Sequence, residues 1–217
     1  MSQFTVQKRQ VIDACLTLSN AGYLAGTGGN LALRLTDELF AVTPSGADYF
    51  ALHADDICVV RLKNLEQLEG NLKPSVESAM HATMLRFKPA MQASVHTHQP
   101  MASAIALLNI DLPVEDADDQ RHLGEKAVIV PYAPSGTGFL VSNFKKCLRA
   151  DVHAYLLKNH GVICAAADMK DAISNVSRIE AAAARYLRTQ IENNTNLPPV
   201  LRSMTLAALD PDHFIKE

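Results

Sequence analysis

"MQASVHTHQP", from Met91 to Pro100, decides how this chain is read. A largely apolar run ends in two histidines separated by a single threonine. Read as a strand, it alternates its side chains between two faces, so His96 and His98 share one of them. At a rise of about 3.3 Å per residue their Cα atoms lie ~6.5 Å apart, and imidazoles at that separation can converge on one cation. Zinc takes three or four ligands, typically three plus water at a catalytic site, so a third must come from elsewhere in the chain.

The other histidines are His53, His81, His122, His153, His160 and His213. His160 stands out. In "LLKNHGVICAA" it falls between two apolar runs and beside a glycine, an odd position for a ring that only packs. His153 is close by, in a segment that reads as an ordinary surface turn. Any one histidine is more readily a satisfied core or surface residue than a ligand. The H-x-H pair on an apolar strand is what makes His160 a candidate third ligand.

Working outward, "KPSVESAMHATMLRF" reads as a helix entered through Pro74 and Ser75, with Val76, Met80 and Met84 on one face. Glu77 then stands in its first turn, where the helix dipole alone favours a carboxylate. The functional alternative is a base that reaches a bound substrate. His81 shares that face and reads as a partner for Glu77 or as packing. Residues 5–20 read as an amphipathic helix carrying Val6, Val11, Ile12, Cys15 and Leu18, with Gly22 as its stop. "GTGGN" is a loop. "LALRL", with Leu31, Leu33 and Leu35 turned inward, and "ELFAV" pair as a hairpin that "TPSG" closes, and "DICVVRL" is another strand. Downstream, "AIALLNI" continues as a helix, while "KAVIVPYA" and "AYLLKNHGVICAA" carry strands. A long helix runs from Asp168 to about Gln190 and breaks at "NNTNLPPV", and a short helix and a mobile tail, "DPDHFIKE", follow. The strands are too many for a simple β-α-β alternation. The expected fold is therefore α/β, a mixed, mainly antiparallel sheet flanked by helices in one domain over residues 1–217.

Composition narrows the function. The chain has 217 residues, 48% of them hydrophobic, and a net charge of -3 without a basic block, which argues against nucleic acid and membranes as partners. Cys15, Cys58, Cys147 and Cys164 form no C-x-x-C pair and read as buried thiols of a reducing compartment. With no signal segment and no apolar span of membrane length, a cytoplasmic location is the default. "GTGGN" matches neither nucleotide-binding glycine pattern. Its glycines can still line an anion site with backbone N–H groups, aided by Thr27 and Asn30. "TPSG" offers Ser45 and Gly46 in the same manner, and "KPS" offers Ser75, which together are the parts of a phosphate pocket.

The segments "GTGGNLALR", "TPSG", "KPSVE", "VHTHQP", "VPYAPSGT" and "LLKNHG", in this order, resemble the class II, metal-dependent aldolase/adducin family. The resemblance runs from about Lys8 to about Arg188. It implies a three-layer α/β/α fold around a mainly antiparallel sheet, and a homotetramer with active sites between subunits. It implies that His96, His98 and His160 bind the metal. It implies that Glu77 contacts the metal in the resting enzyme and moves protons during turnover. Asn30, Ser45, Gly46 and Ser75 fall at the phosphate-binding positions, with Thr27 and Gly29 shaping that loop. Two departures stand out. Val76 replaces the second of two consecutive serines, which removes one hydroxyl from the phosphate pocket. "DLPVEDADDQRHLG" holds no tyrosine where related aldolases supply one. Asp116, Asp118, Asp119 or His122 is then the substitute proton donor, and Asp118 is the one chosen here, against the plainer reading of a solvated acidic loop.

The implied reaction is the retro-aldol cleavage of a ketose phosphate to dihydroxyacetone phosphate and an aldehyde. Neutral histidine ligands leave the ion its full charge, so it stabilises the enediolate left by cleavage. Zinc is the first choice, with Mn2+, Co2+ or Fe2+ as alternatives. Epimerisation or dehydration could use the same site. An adducin-like interaction module would need no ligands, and a zinc hydrolase would need no phosphate loop.

Overall fold

The computed structural model describes residues 2–24 and 26–209. The tail "DPDHFIKE", with His213, lies outside the described residues. The chain runs as α1 (Thr5–Asn20), β1 (Asn30–Arg34), β2 (Leu39–Val42), β3 (Cys58–Arg61), β4 (Gln67–Glu69), α2 (Ser78–Phe87), β5 (Ala93–Thr97) and α3 (Pro100–Leu108). It continues as β6 (Leu112–Pro113), α4 (Ala117–Leu123), β7 (Lys126–Val130), α5 (Gly138–Cys147), β8 (Ala154–Leu157), β9 (Gly161–Ala166), α6 (Met169–Glu192) and α7 (Pro199–Ala208).

The strands build a nine-stranded sheet in the order β4-β3-β2-β1-β5-β9-β8-β7-β6. The β7–β8 pair is parallel and the other neighbours are antiparallel. Alternation along β9 explains the layering. Val162 and Cys164 pack with α3, α4 and α6 on one face, while Ile163 and Ala165 pack with α2 and α5 on the other. Helix α1 extends the first layer over Leu31, Leu33 and Val95. The result is the expected three-layer arrangement with a mixed, mainly antiparallel sheet.

Along α6, Ala172, Val176, Ile179 and Ala183 recur at helical spacing and are fully buried. Burying each Val or Ile there stabilises the fold by about 1.5–3 kcal/mol. Asp168 caps this helix by accepting from the Asp171 N–H at 2.8 Å.

Several local expectations need correction. Strand β1 is covered on both faces, with Leu31, Ala32 and Leu33 all buried, because it lies inside the sheet between two helical layers. Val6 is 68% exposed and takes no part in the core. Helix α2 starts only at Ser78, so Val76 lies outside it and is exposed. The acidic segment is not a solvated loop. It forms β6 and α4, capped by Asp116, whose carboxylate accepts from the N–H groups of Asp118 and Asp119. Strand β4 and helix α5 had no counterpart in the sequence reading. The four cysteines are free, three buried and Cys147 half-buried.

Candidate metal centre

The histidines meet at one end of the sheet. Strand β5 lies between β1 and β9. His96 is in β5, and His98 follows its end. His160 closes the turn of Lys158, Asn159 and His160 between β8 and β9. Asn159 adopts φ 56°, a left-handed conformation that asparagine tolerates, so the reversal is tight and returns His160 to the strand ends. The ligand atoms of His96, His98 and His160 lie within 4.8 Å of one another.

The spacing suits a divalent cation. Ligand atoms ~2.0–2.1 Å from a tetrahedral zinc stand about 3.3 Å from each other. The Nε2 atoms of His96 and His98 are 3.0 Å apart. The Glu77 carboxylate comes within 3.3 Å of the Nε2 atoms of both His96 and His160. His96 donates from Nδ1 to the Val162 carbonyl at 2.7 Å, which leaves the Nε2 lone pair facing the cluster. Two glycines permit the approach. A Cβ on Gly161 would lie 2.5 Å from the His98 ring and 2.5 Å from the Thr97 carbonyl. A Cβ on Gly29, at φ +82°, would lie 2.7 Å from the His96 carbonyl.

Glu77 precedes α2, yet its side chain makes no capping bond. It turns into the cluster and is 5% exposed. Its Oε2 accepts from Asn30 Nδ2 at 2.7 Å, and its Oε1 accepts from the Ser135 hydroxyl at 2.9 Å. Burial opposes ionisation. The adjacent His96, the Asn30 hydrogen bond, His160 and Ser135 together outweigh it and hold the carboxyl below its usual range. Burial in turn pushes the His96 pKa down, so that ring is uncharged at neutral pH. The hydrogen bonds from Asn30 and Ser135 are then what hold the carboxylate in place.

The His81 N–H donates to the Glu77 carbonyl at 3.3 Å, but the His81 ring makes no hydrogen bond to the Glu77 carboxylate. His81 is fully buried and its pKa is pushed down to about 4 by that burial, against the field of Glu77. Its Nε2 lies 2.6 Å from Asn30 Oδ1, and its Nδ1 lies 2.8 Å from Ser94 Oγ.

The expected phosphate-pocket residues divide into two groups. The turns at 43–46 and 73–75 lie side by side, with the Ser45 N–H donating to the Lys73 carbonyl and the Ser75 N–H to the Thr43 carbonyl. The Thr43 hydroxyl accepts from the Leu31 N–H and so ties these turns to the segment after Gly29. Thr27, Ser45 and Gly46 are exposed. Asn30 and Ser75 are buried instead. Asn30 spends its amide on Glu77 and His81, and the Ser75 hydroxyl accepts from the Glu77 N–H at 3.2 Å.

Asp118 is not brought to this cluster. It sits on α4, ion-paired with Arg121 and Arg178, and its side chain is 55% exposed. Sequence reasoning missed Ser135, Gly161 and Ser94. Ser135 had a signal, because "PSGT" is a further turn of the same composition.

Three histidines that could hold a metal ion, with an adjacent buried carboxylate, stand on a mainly antiparallel three-layer fold. Residues 9–187 match the family described as Class II Aldolase and Adducin N-terminal domain. A 5-deoxy-D-ribulose 1-phosphate aldolase from Bacillus thuringiensis is 31% identical over 195 residues, covering 89% of this chain and 90% of the relative. The L-fuculose phosphate aldolase of Escherichia coli K12 is 31% identical over 181 residues, covering 83% of this chain and 82% of the relative. A solved L-fuculose 1-phosphate aldolase superposes with a TM-score of 0.81 at 28% identity, covering 96% of this chain and 97% of that one. The chain belongs to the class II aldolase and adducin N-terminal domain family, and it is an enzyme of class II aldolase type. Among the described residues no helix is long and apolar enough to cross a membrane.

Proposed function

We propose that this protein cleaves a ketose phosphate to dihydroxyacetone phosphate and an aldehyde. His96, His98 and His160 hold a divalent cation, with zinc the first choice and Mn2+, Co2+ or Fe2+ as alternatives. The observation that carries the reading is the Glu77 carboxylate, buried between His96 and His160 and tethered by Asn30 and Ser135.

When bound, the ion supplies a positive charge beside the substrate carbonyl and so favours the negative charge that develops as the neighbouring bond breaks. Glu77, ionised at rest, passes the proton released by the hydroxyl that becomes the aldehyde carbonyl to the carbon left by the broken carbon–carbon bond. Its short tethers keep it within reach and limit its motion. The exposed groups of Thr27, Ser45 and Gly46 anchor the phosphate, and binding at that remote end orients the reacting carbons. Val76 offers no hydroxyl there, so this anchor has one donor fewer. The assembly proposed is a homotetramer with sites between subunits. Val76, Tyr132 and Phe139 are exposed in the segments that carry Glu77 and Ser135, and a second copy would cover them.

One relative supports a second reading. A 3-oxo-tetronate 4-phosphate decarboxylase from Haemophilus influenzae is 29% identical over 194 residues, covering 85% of this chain. Loss of carbon dioxide next to a carbonyl develops the same charge.

Incubation of the ion-loaded protein with ketose phosphates, their unphosphorylated counterparts and 3-oxo-tetronate 4-phosphate, scored by product mass, decides between these. Dihydroxyacetone phosphate plus an aldehyde is expected. Loss of carbon dioxide means decarboxylase, equal mass means epimerase, and loss of water means dehydratase. Any of the last three without aldol products overturns the aldolase assignment.

A further inference from the structure

We infer that His81 is a positioning residue that fixes the side-chain amide of Asn30 and, through it, one oxygen of Glu77. This rests on the role given to Glu77 above.

The arrangement follows from the sheet. Asn30 pairs with His96 and Ala32 with Ser94 across β1 and β5, so Asn30, Ser94 and His96 share one face. Helix α2 covers that face and brings His81 between Asn30 and Ser94. For a neutral His81 ring the polarity of this chain of bonds has one solution. An ionised carboxylate only accepts, so Asn30 must present its NH2 to Glu77. Its Oδ1 then faces His81, whose Nε2 must carry the proton and donate. His81 Nδ1 is left as an acceptor for the Ser94 hydroxyl.

Every group therefore has a fixed role, and the amide cannot turn over without setting an oxygen against the carboxylate. A phenylalanine would fill the same space as His81. The imidazole is distinguished by its two polar bonds, at 2.6 and 2.8 Å. Asn30 thus serves the proton carrier and is not free to turn toward a phosphate.

The test has two arms on the full-length, ion-loaded protein. Nitrogen-15 NMR of labelled histidine is expected to show His81 as the neutral Nε2–H tautomer at pH 7. An Nδ1–H tautomer or an imidazolium overturns the inference. The second arm measures deuterium uptake from D2O into dihydroxyacetone phosphate. His81→Phe is expected to slow uptake by about 10- to 100-fold, with KM and bound ion unchanged. His81→Gln, whose terminal NH2 reaches the Nε2 position, is expected to recover most of the rate. Uptake that is unchanged in His81→Phe but lost in Glu77→Gln sinks this inference and spares the proposed function. Uptake indifferent to Glu77→Gln sinks the role of Glu77, and the NMR result then judges the tether alone. Should His81→Phe fail to fold, His81→Gln is compared with His81→Asn, which can reach Ser94 but not Asn30. Equal uptake in those two variants overturns the inference.

Discussion

Glu77 and Asp118 are both carboxylates beside the start of a helix, and their surroundings give them opposite characters. Glu77, just before α2, turns away from its helix into a buried cluster and accepts from Asn30 and Ser135. Asp118, in the first turn of α4, faces solvent and is held by Arg121 and Arg178. The first sits at the middle of the sheet and the second near its β6 edge. In the middle, both faces are covered and a charge must be matched by built-in donors. At the edge, water and the paired arginines do that work, and such exposed pairs are worth little. The difference teaches that helix-start position does not mark a chemical carboxylate. What sets Glu77 apart is burial against histidines from distant segments.

The comparison can be broken at several points. The largest effect is expected from His98→Ala, which removes one of the three proposed ligands. Elemental analysis of the purified variant is expected to find far less than one ion per chain, and full retention would dissolve the cluster as a metal centre. Next comes Glu77→Gln. It keeps the ion and the fold but lowers turnover by about 10²- to 10⁴-fold, the usual worth of a positioned acid or base. Wild-type turnover in that variant would make Glu77 as dispensable as a surface acid. Gly161→Ala comes third. The added methyl meets the His98 ring and the Thr97 carbonyl, so ion affinity in a competitive chelator titration is expected to fall by about 10- to 100-fold. The smallest effect is expected from Asp118→Asn, with turnover and melting temperature both unchanged. A loss of turnover at constant stability would move Asp118 to a site completed by a second copy and remove the contrast drawn here.

Much of this is legible in the sequence. The period-2 run ending at His96 and His98 and the strands on either side of His160 identify sheet segments and make His160 a candidate third ligand, and the family resemblance completes the triad. Helices α1, α2 and α6 show as periodic apolar stripes, and α3 (Pro100–Leu108) shows only in part, as the apolar run "AIALLNI". Helix α4 does not show, because seven mostly polar residues carry no such stripe. Strand β4 is three residues long and mostly exposed, too short to show alternation. Ser135 and Asn30 were visible only as members of polar turns. Their partner is a carboxylate 58 and 47 residues away respectively, and no local pattern encodes such a pairing.

The sequence by itself determined the sheet segments, through periodicity, and the family, through the order and spacing of its motifs, and it singled out three candidate histidines, because these are properties of short stretches. Only the tertiary structure decided that Glu77 is buried while Asp118 is exposed, and that Asn30 faces a carboxylate and His81. The physical reason is that the state of a polar group depends on which donors and how much solvent surround it. In this chain those neighbours arrive from strands and turns far apart in sequence.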